Sequence, residues 1–99
     1  MSNVKVNKKM ISELYETILR LEDVKECEYF LDDLCTKKEI EQMAQRLKAA
    51  ELLIEGKTYN EVIEETEISS ATLSRVSRCV QYGKGYNRLI KKKEKEAVK

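Results

Sequence analysis

Apolar residues recur along the chain at the spacing of α-helices. Ile11, Leu14, Ile18 and Leu21 follow one another at steps of three and four residues, which places them on one face of an amphipathic helix. The same period predicts a short second helix from about residue 24 and a longer third helix that starts after residue 36. Aromatic residues, which favour strands, make up only 6% of the chain, so the pattern favours an all-α fold.

Short polar residues mark the starts of the predicted helices. Asp23, Thr36 and Thr58 are each followed three residues later by a glutamate. This spacing lets the first side chain bond the backbone at the helix start while the glutamate bonds back, which is a capping box. Gly56 is expected to end the third helix, because glycine adopts a left-handed conformation without steric cost.

The pattern after Gly56 predicts a helix-turn-helix at about residues 58–82. A helix of about eight residues capped by Thr58 is followed by a break at residues 67–69 and by a helix that ends near Tyr82. A last helix is expected from Tyr86 to about Glu96. The sequence therefore predicts a single domain over residues 1–99 with about six helices and a basic tail at about residues 91–99.

The second helix of this motif has one narrow apolar stripe and a small, polar opposite side. Leu73, Val76 and Val80 are three and four residues apart. In a helix-turn-helix the second helix lies in the major groove of DNA, where hydroxyl groups and arginines bond phosphates or base edges. The candidate contacts to base edges or the adjacent backbone are Ser69, Ser70, Ala71 and Ser74, and the candidate phosphate contacts are Lys57, Arg78, Lys84 and Arg88.

A simpler interpretation of these residues is that Ser69 and Ser70 only cap the helix and that Arg75 and Arg78 are solvated. The location of the set favours nucleic-acid contact. Residues 69–99 carry nine basic and two acidic side chains, whereas residues 1–68 carry ten basic and sixteen acidic ones, and such asymmetry suggests a surface for polyanions. The lysine-rich tail supplies much of this excess, and it could merely aid solubility.

Four glutamates argue against DNA contact by the first helix of the motif. Glu61, Glu64, Glu65 and Glu67 lie in or just after that helix, and a helix that crosses phosphates is not expected to be so negative. We expect these side chains to face away from the duplex or to pair with nearby lysines.

The sequence offers little support for an enzyme. The chain has no histidine, no Cys-x-x-Cys pair and no glycine-rich phosphate loop, so no metal, disulfide or cofactor is expected. Cys79 shares a helix with Arg75 and Arg78, which would favour a reactive thiolate, but we expect Cys79 to be a packing residue. No signal peptide is recognisable, and no run approaches the ~20 apolar residues of a membrane span, so we expect a cytoplasmic protein.

Two stretches resemble the Trp repressor family, and in particular its bacterial members of the YerC/YecD type. The resemblance runs from Thr36 to about Val80, and the stretches that carry it are LCTKKEIEQMAQRLKAAELLIEGKTYNEVI (residues 34–63) and SSATLSRVSRCVQYGKGY (residues 69–86). The resemblance implies an intertwined all-α homodimer whose two helix-turn-helix motifs contact double-stranded DNA about one helical turn apart. Apolar stripes on the first three helices also exceed what one small chain buries by itself.

The resemblance further implies an effector site. The positions that match the family's tryptophan-binding residues are Thr36, Arg46, Thr72 and Arg75. Val76 replaces a glycine that lies against the indole ring, and Cys79 replaces a serine near the ligand's amine, so the indole should clash with valine. We therefore expect no tryptophan binding in that mode. Arg46 and Arg75 would instead hold a small anionic effector of unknown identity, or form ion pairs with acidic neighbours.

The leading hypothesis is a sequence-specific DNA-binding transcriptional regulator, with repression as the expected sense. The alternative is a helical protein-interaction module that keeps the helix-turn-helix as a scaffold, which the acidic first motif helix and the net charge of +1 favour. Salt-dependent DNA binding would distinguish the regulator from the scaffold.

Overall fold

A computed structural model describes the backbone of residues 4–98 and the side chains of residues 7–93, and all regular elements in this part of the chain are helices. They are α1 (Val4–Ile18), α2 (Val24–Leu34), α3 (Lys37–Ile54), α4 (Tyr59–Thr66), α5 (Ser70–Tyr82) and α6 (Gly85–Val98). The predicted all-α fold is confirmed. Of the predicted basic tail, residues 91–93 are exposed, and the side chains of residues 94–99 lie outside the described residues.

The helix ends follow the predicted caps. The Thr58 hydroxyl accepts a hydrogen bond from the Glu61 amide at 3.2 Å, and the Glu61 carboxylate accepts one from the Thr58 amide at 2.8 Å. Asp23 likewise accepts from the Glu26 amide at 2.8 Å. The Glu26 carboxylate, however, bonds the amide one residue before Asp23 at 2.9 Å, so this second capping box is shifted by one position. Gly56 ends α3 with a φ of 97°, as predicted.

The chain forms two compact units, residues 1–37 and residues 38–99. In the first unit, no side chain among residues 7–37 is buried. Ile11, Tyr15 and Ile18 make one stripe on α1, yet they are 48%, 61% and 41% exposed. This unit therefore carries an amphipathic helix with an open apolar face. The expectation that residues 1–99 form a single domain stays a prediction.

The second unit contains the buried core of the described residues. Two small residues of α3, Ala49 and Ala50, are fully buried, and small side chains let neighbouring helices approach closely. Ile90 anchors α6 to the same core, and the α4–α5 segment contributes most of the remaining members. The core consists of Ala49, Ala50, Leu52, Val62, Ile68, Leu73, Val76 and Ile90.

The described part of the chain contains neither a helix that could span a membrane nor a candidate metal site. No helix there combines the length and the apolarity that crossing a lipid bilayer requires. The described residues likewise contain no group of three acidic, cysteine or histidine side chains that could hold a metal ion. Cys27, Cys35 and Cys79 are free thiols.

Candidate nucleic-acid interface

Helices α4 and α5 form the helix-turn-helix that the sequence predicts. α4 ends at Thr66, and three residues then connect it to α5. Glu67 adopts a left-handed conformation with a φ of 61°, and its amide bonds the Ile63 carbonyl at 2.8 Å. Ile68 is 4% exposed and belongs to the core. The turn is therefore pinned by a buried side chain at its centre.

Thr66 and Gln45 fix this turn through hydrogen bonds that sequence analysis did not find. The Thr66 hydroxyl donates to the Val62 carbonyl at 2.7 Å and accepts from the Ile68 amide at 3.2 Å. The Gln45 side chain on α3 donates to the Thr66 carbonyl at 3.2 Å. The end of α4 is thereby held by its own last turn and by the core helix. A threonine and a glutamine 21 residues apart leave no periodic signal that could have revealed the contact.

The apolar stripe of α5 faces the core, and the opposite side is exposed. Leu73 and Val76 are 0% and 1% exposed, and Val80 packs against the core as a half-buried residue. This is the orientation that the spacing predicts. The exposed residues on the other positions are Ser70, Ala71, Ser74, Arg75, Arg78, Cys79, Gln81 and Tyr82.

Ser69 is the N-cap of α5. Its hydroxyl accepts a hydrogen bond from the Thr72 amide at 3.2 Å and donates one to the Thr72 hydroxyl at 2.9 Å. Capping thus explains Ser69 without any ligand, whereas Ser70 is the first helical residue. Because the single hydrogen of the Ser69 hydroxyl is used in the bond to Thr72, the Ser69 oxygen can only accept further hydrogen bonds.

The cationic candidates lie on exposed surface. Lys57 precedes α4, Arg78 is on α5, Lys84 is in the turn before α6, and Arg88 is on the first turns of α6; all four are exposed. Ion pairs among the described residues join Lys25 to Glu28 and Lys48 and Lys93 to Glu51. Within residues 7–93 none of the four cations forms an ion pair with a carboxylate, although the charge of Lys57 helps to lower the pKa of Glu61.

The four glutamates of the motif are exposed as well. Glu61 has a structural use, because its carboxylate closes the capping box with Thr58. The bonds from the Thr58 amide and hydroxyl hold the pKa of Glu61 below its ordinary value. Glu64, Glu65 and Glu67 form no ion pair with a described residue, so the expected lysine partners are not found for them.

The effector candidates differ in exposure. Arg46 and Thr72 are half-buried, and Arg75 and Thr36 are exposed. No acidic side chain of the described residues pairs with Arg46 or Arg75, so the ion-pair interpretation finds no partner here. Their role in holding an anion stays a prediction.

Cys79 and the residues around it form an open apolar groove. Cys79 is expected from the sequence to be a packing residue, but within this chain it is exposed and not buried in the core. Cys79 lines the groove and is not part of the buried Leu73–Val76 stripe of α5. The groove has a volume of about 420 Å³ and is lined by Leu47, Cys79, Gly83, Gly85, Tyr86, Leu89 and Ile90.

The chain is similar to Trp repressors in both sequence and structure. The sequence model of the Trp repressor protein family matches residues 9–94. The uncharacterized protein YerC of Bacillus subtilis (strain 168) is 49% identical over 79 residues, which cover 80% of this chain and 76% of the relative.

Two solved structures have the same fold. A crystal structure of a candidate Trp repressor from Staphylococcus aureus is 38% identical, with a TM-score of 0.84 and 95% of both chains covered. A TrpR-like protein from Eubacterium eligens is also 38% identical, with a TM-score of 0.82 and coverage of 89% of this chain and 92% of that one.

Proposed function

Because the chain belongs to the Trp repressor family, we propose that it is a transcriptional regulator that binds a specific double-stranded DNA sequence through α4 and α5. The observation that carries the proposal is the division of α5. Leu73 and Val76 are buried, while the small residues of its first turn and two arginines are exposed. A helix with this division can enter a major groove without a large side chain in the way.

The proposed contacts fall into two classes. Ser70, Ala71 and Ser74 would meet base edges, since they are exposed near the start of α5, and Ser69 would accept from a base or lie against the backbone. Arg78, Lys57, Lys84 and Arg88 would bond phosphates and supply the salt-dependent part of the affinity. The glutamates of α4 reduce that affinity, so the proposed contacts of α4 are limited to its capped start beside Lys57.

The proposed assembly is a homodimer. The first unit buries no described side chain, and Ile11, Tyr15 and Ile18 leave an apolar stripe open on α1. The second unit has an apolar groove beside Cys79. A second copy of the chain would cover such surfaces and would place two copies of α5 roughly 34 Å apart, which is one turn of DNA. The family supports repression in the bacterial cytoplasm as the setting.

Tryptophan is not the proposed effector. Val76 stands where the family has a glycine against the ligand's ring, and it is 1% exposed, so its side chain already occupies core volume. A core of ordinary density has no room for an indole beside it. An anionic effector held by Arg46, Thr72 and Arg75 is the proposed alternative. Calorimetric titration with tryptophan is expected to give no heat of binding; micromolar binding would contradict this proposal.

DNA binding is tested with a site selected from random DNA by the purified full-length protein. The affinity for the selected site should fall steeply as salt rises. Lys84→Gln should weaken binding to selected and random DNA alike, and it should flatten the salt dependence by about one unit. Lys25→Gln, which removes the same charge from α2, is the matched control and should leave both unchanged.

The alternative is a helical protein-interaction module, which the exposed glutamates of α4 favour. A module that keeps the motif only as a scaffold would select no site. It would also show no salt-dependent binding to random DNA at micromolar protein and low salt. That result would sink the regulator proposal.

A further inference from the structure

The C-terminal end of α5 is closed by a side chain from the next helix. The last four carbonyl groups of a helix have no amide partner within it. In α5 the Cys79 carbonyl accepts from the Gly83 amide at 2.8 Å. The Val80 carbonyl accepts from the side-chain nitrogen of Asn87 at 2.6 Å, and the same nitrogen lies 3.5 Å from the Gly83 carbonyl.

The chemistry of the site requires an amide there. Both neighbours of the Asn87 nitrogen are carbonyl oxygens, which only accept hydrogen bonds, so a donor must face them. Asn87 is half-buried, which makes the loss of a partner for the Val80 carbonyl costly. An aspartate of the same shape would place further acceptors against these oxygens.

Asn87 connects the end of α5 to the core. Three residues later on α6, Ile90 is 5% exposed and belongs to the core, and Tyr86 packs against it. α6 is therefore an anchored helix, and Asn87 ties the last turn of α5 to it. The start of α5 is held separately, by the Ser69 cap and by Leu73.

Lys84 and Arg88, two of the proposed phosphate contacts, lie on either side of Asn87 in the sequence. Lys84 lies in the turn between the helices, and its carbonyl accepts from the Arg88 amide at 3.0 Å. The turn is tight at Gly83, because a Cβ there would come within 2.7 Å of the Cys79 carbonyl oxygen. The Asn87 bonds to Val80 and Gly83 span the same segment.

We propose that Asn87 is a positioning residue that holds the α5–α6 turn, so that Lys84 and Arg88 meet phosphates in register with the base-facing residues of α5. This inference rests on the proposed DNA binding. Random DNA needs only the charges, whereas a specific site needs phosphate and base contacts at the same time. If the turn is loosened, specific binding must order it and lose conformational entropy. Binding to random DNA does not require an ordered turn, so its affinity is unaffected.

The test compares Asn87→Ala with wild type on the selected site and on random DNA. The variant keeps the charge of the protein, so its affinity for random DNA should stay within about twofold. Its affinity for the selected site should fall by about five- to tenfold, the loss expected from one missing hydrogen bond. Both affinities are measured where circular dichroism finds the variant folded. A residue that only stabilises the fold would leave their ratio unchanged, and that outcome would overturn the proposal.

Asn7→Ala is the matched control, because Asn7 is an exposed asparagine on α1, a helix that carries none of the proposed DNA contacts. It should leave the ratio of specific to random affinity as in wild type. An equal loss of the ratio in Asn7→Ala would mean that the effect is not particular to Asn87, and it would overturn the proposal.

A second measurement does not involve DNA. Amide hydrogen exchange at Gly83 should be faster in Asn87→Ala, and faster still in Asn87→Asp, than in wild type or Asn7→Ala. If wild type selects no DNA site, the regulator proposal fails while this measurement still decides whether Asn87 holds the turn. Unchanged exchange at Gly83 would overturn the positioning role.

Discussion

Glu67 has a backbone conformation that its side chain does not favour. Its φ of 61° is the one positive φ among the described non-glycine residues, and such a conformation costs an L-residue roughly 1–2 kcal/mol. The surrounding structure over-determines it: Ile68 must be buried on one side, and the last turn of α4 is fixed by Thr66 on the other. The fold therefore tolerates this strain at Glu67, because the turn it allows keeps Ile68 in the core.

Glu67→Gly and Glu67→Gln separate backbone strain from charge. Both remove the same carboxylate, but only glycine adopts the left-handed conformation freely. We expect the free energy of unfolding of Glu67→Gly to exceed that of Glu67→Gln by about 1 kcal/mol. Urea denaturation of the two variants measures this difference. Equal stabilities would mean that the turn is not strained at this position.

Glu61 links the start of α4 to pH. Its pKa is lowered in the folded protein by the bonds from Thr58, so its charged form favours folding. This contribution is fully present above the pKa of an unfolded glutamate, about 4.3, and it is lost as the pH falls through the lowered pKa of the folded state.

Glu61→Gln should therefore remove part of the acid sensitivity. The stability difference between wild type and Glu61→Gln is expected to shrink as the pH falls below the pKa of an unfolded glutamate, about 4.3, because Glu61 becomes protonated as the pH passes its lowered pKa in the folded state. Urea midpoints measured from neutral pH into the acid range follow this difference. Glu64→Gln is the control on the same helix, and a difference that shrinks as much for it would contradict the role given to Glu61.

At the scale of the element, one side of α5 packs against the core, and the opposite side is exposed. Its buried stripe holds it to the core through Leu73 and Val76, and its exposed side is free of core contacts. Ser69 ends the helix at one side, and Gly83 ends it at the other. Stability and the proposed recognition of DNA therefore involve different residues of the same 13-residue helix.

Leu73→Ala and Ser74→Ala compare the contributions of the buried and the exposed side of α5 to stability. Leu73 is fully buried, and truncating a buried leucine lowers the free energy of unfolding by about 2–5 kcal/mol. Ser74 is its exposed neighbour, and its truncation should change stability by less than about 0.5 kcal/mol. Urea denaturation gives both values. A loss of several kcal/mol for Ser74→Ala would show that this side of α5 is not a free surface.

At the scale of the whole molecule, the exposed apolar side chains of the first unit are unusual for a small monomeric protein. Several large apolar side chains of residues 7–37 are more than 40% exposed, Leu19 and Val24 most of all, at 84% and 85%. Such surface usually marks an interface. The charges are also divided, because residues 1–68 have an excess of acidic side chains and residues 69–99 an excess of basic ones. The exposed apolar surface fits the proposed dimer, and the basic excess fits the proposed contact with DNA.

The midpoint of thermal unfolding should rise with protein concentration, because a dimer is stabilised by mass action. Tyr15→Glu places a charge on the open stripe of α1 and should yield a monomer in sedimentation velocity. Ser12→Glu adds the same charge to α1 outside that stripe and should remain dimeric. A wild-type protein that sediments as a monomer at high concentration would contradict the dimer.

The sequence by itself determined the helices and the orientation of the motif. Caps and periodicity act over three or four residues, so Thr58 and Gly56 marked their helix ends, and the spacing of Leu73 and Val76 assigned the buried side of α5. The exposed candidate contacts follow from that orientation.

Only the tertiary structure decided what holds the motif in place. The Gln45 bond to Thr66 and the Asn87 bond to Val80 join different helices, and the exposure of Cys79 depends on what packs beside it. Glu67 adopts its left-handed conformation because the buried Ile68 outweighs local preference. Such contacts depend on which helices meet in the core, and residue spacing within one helix carries no record of its neighbours.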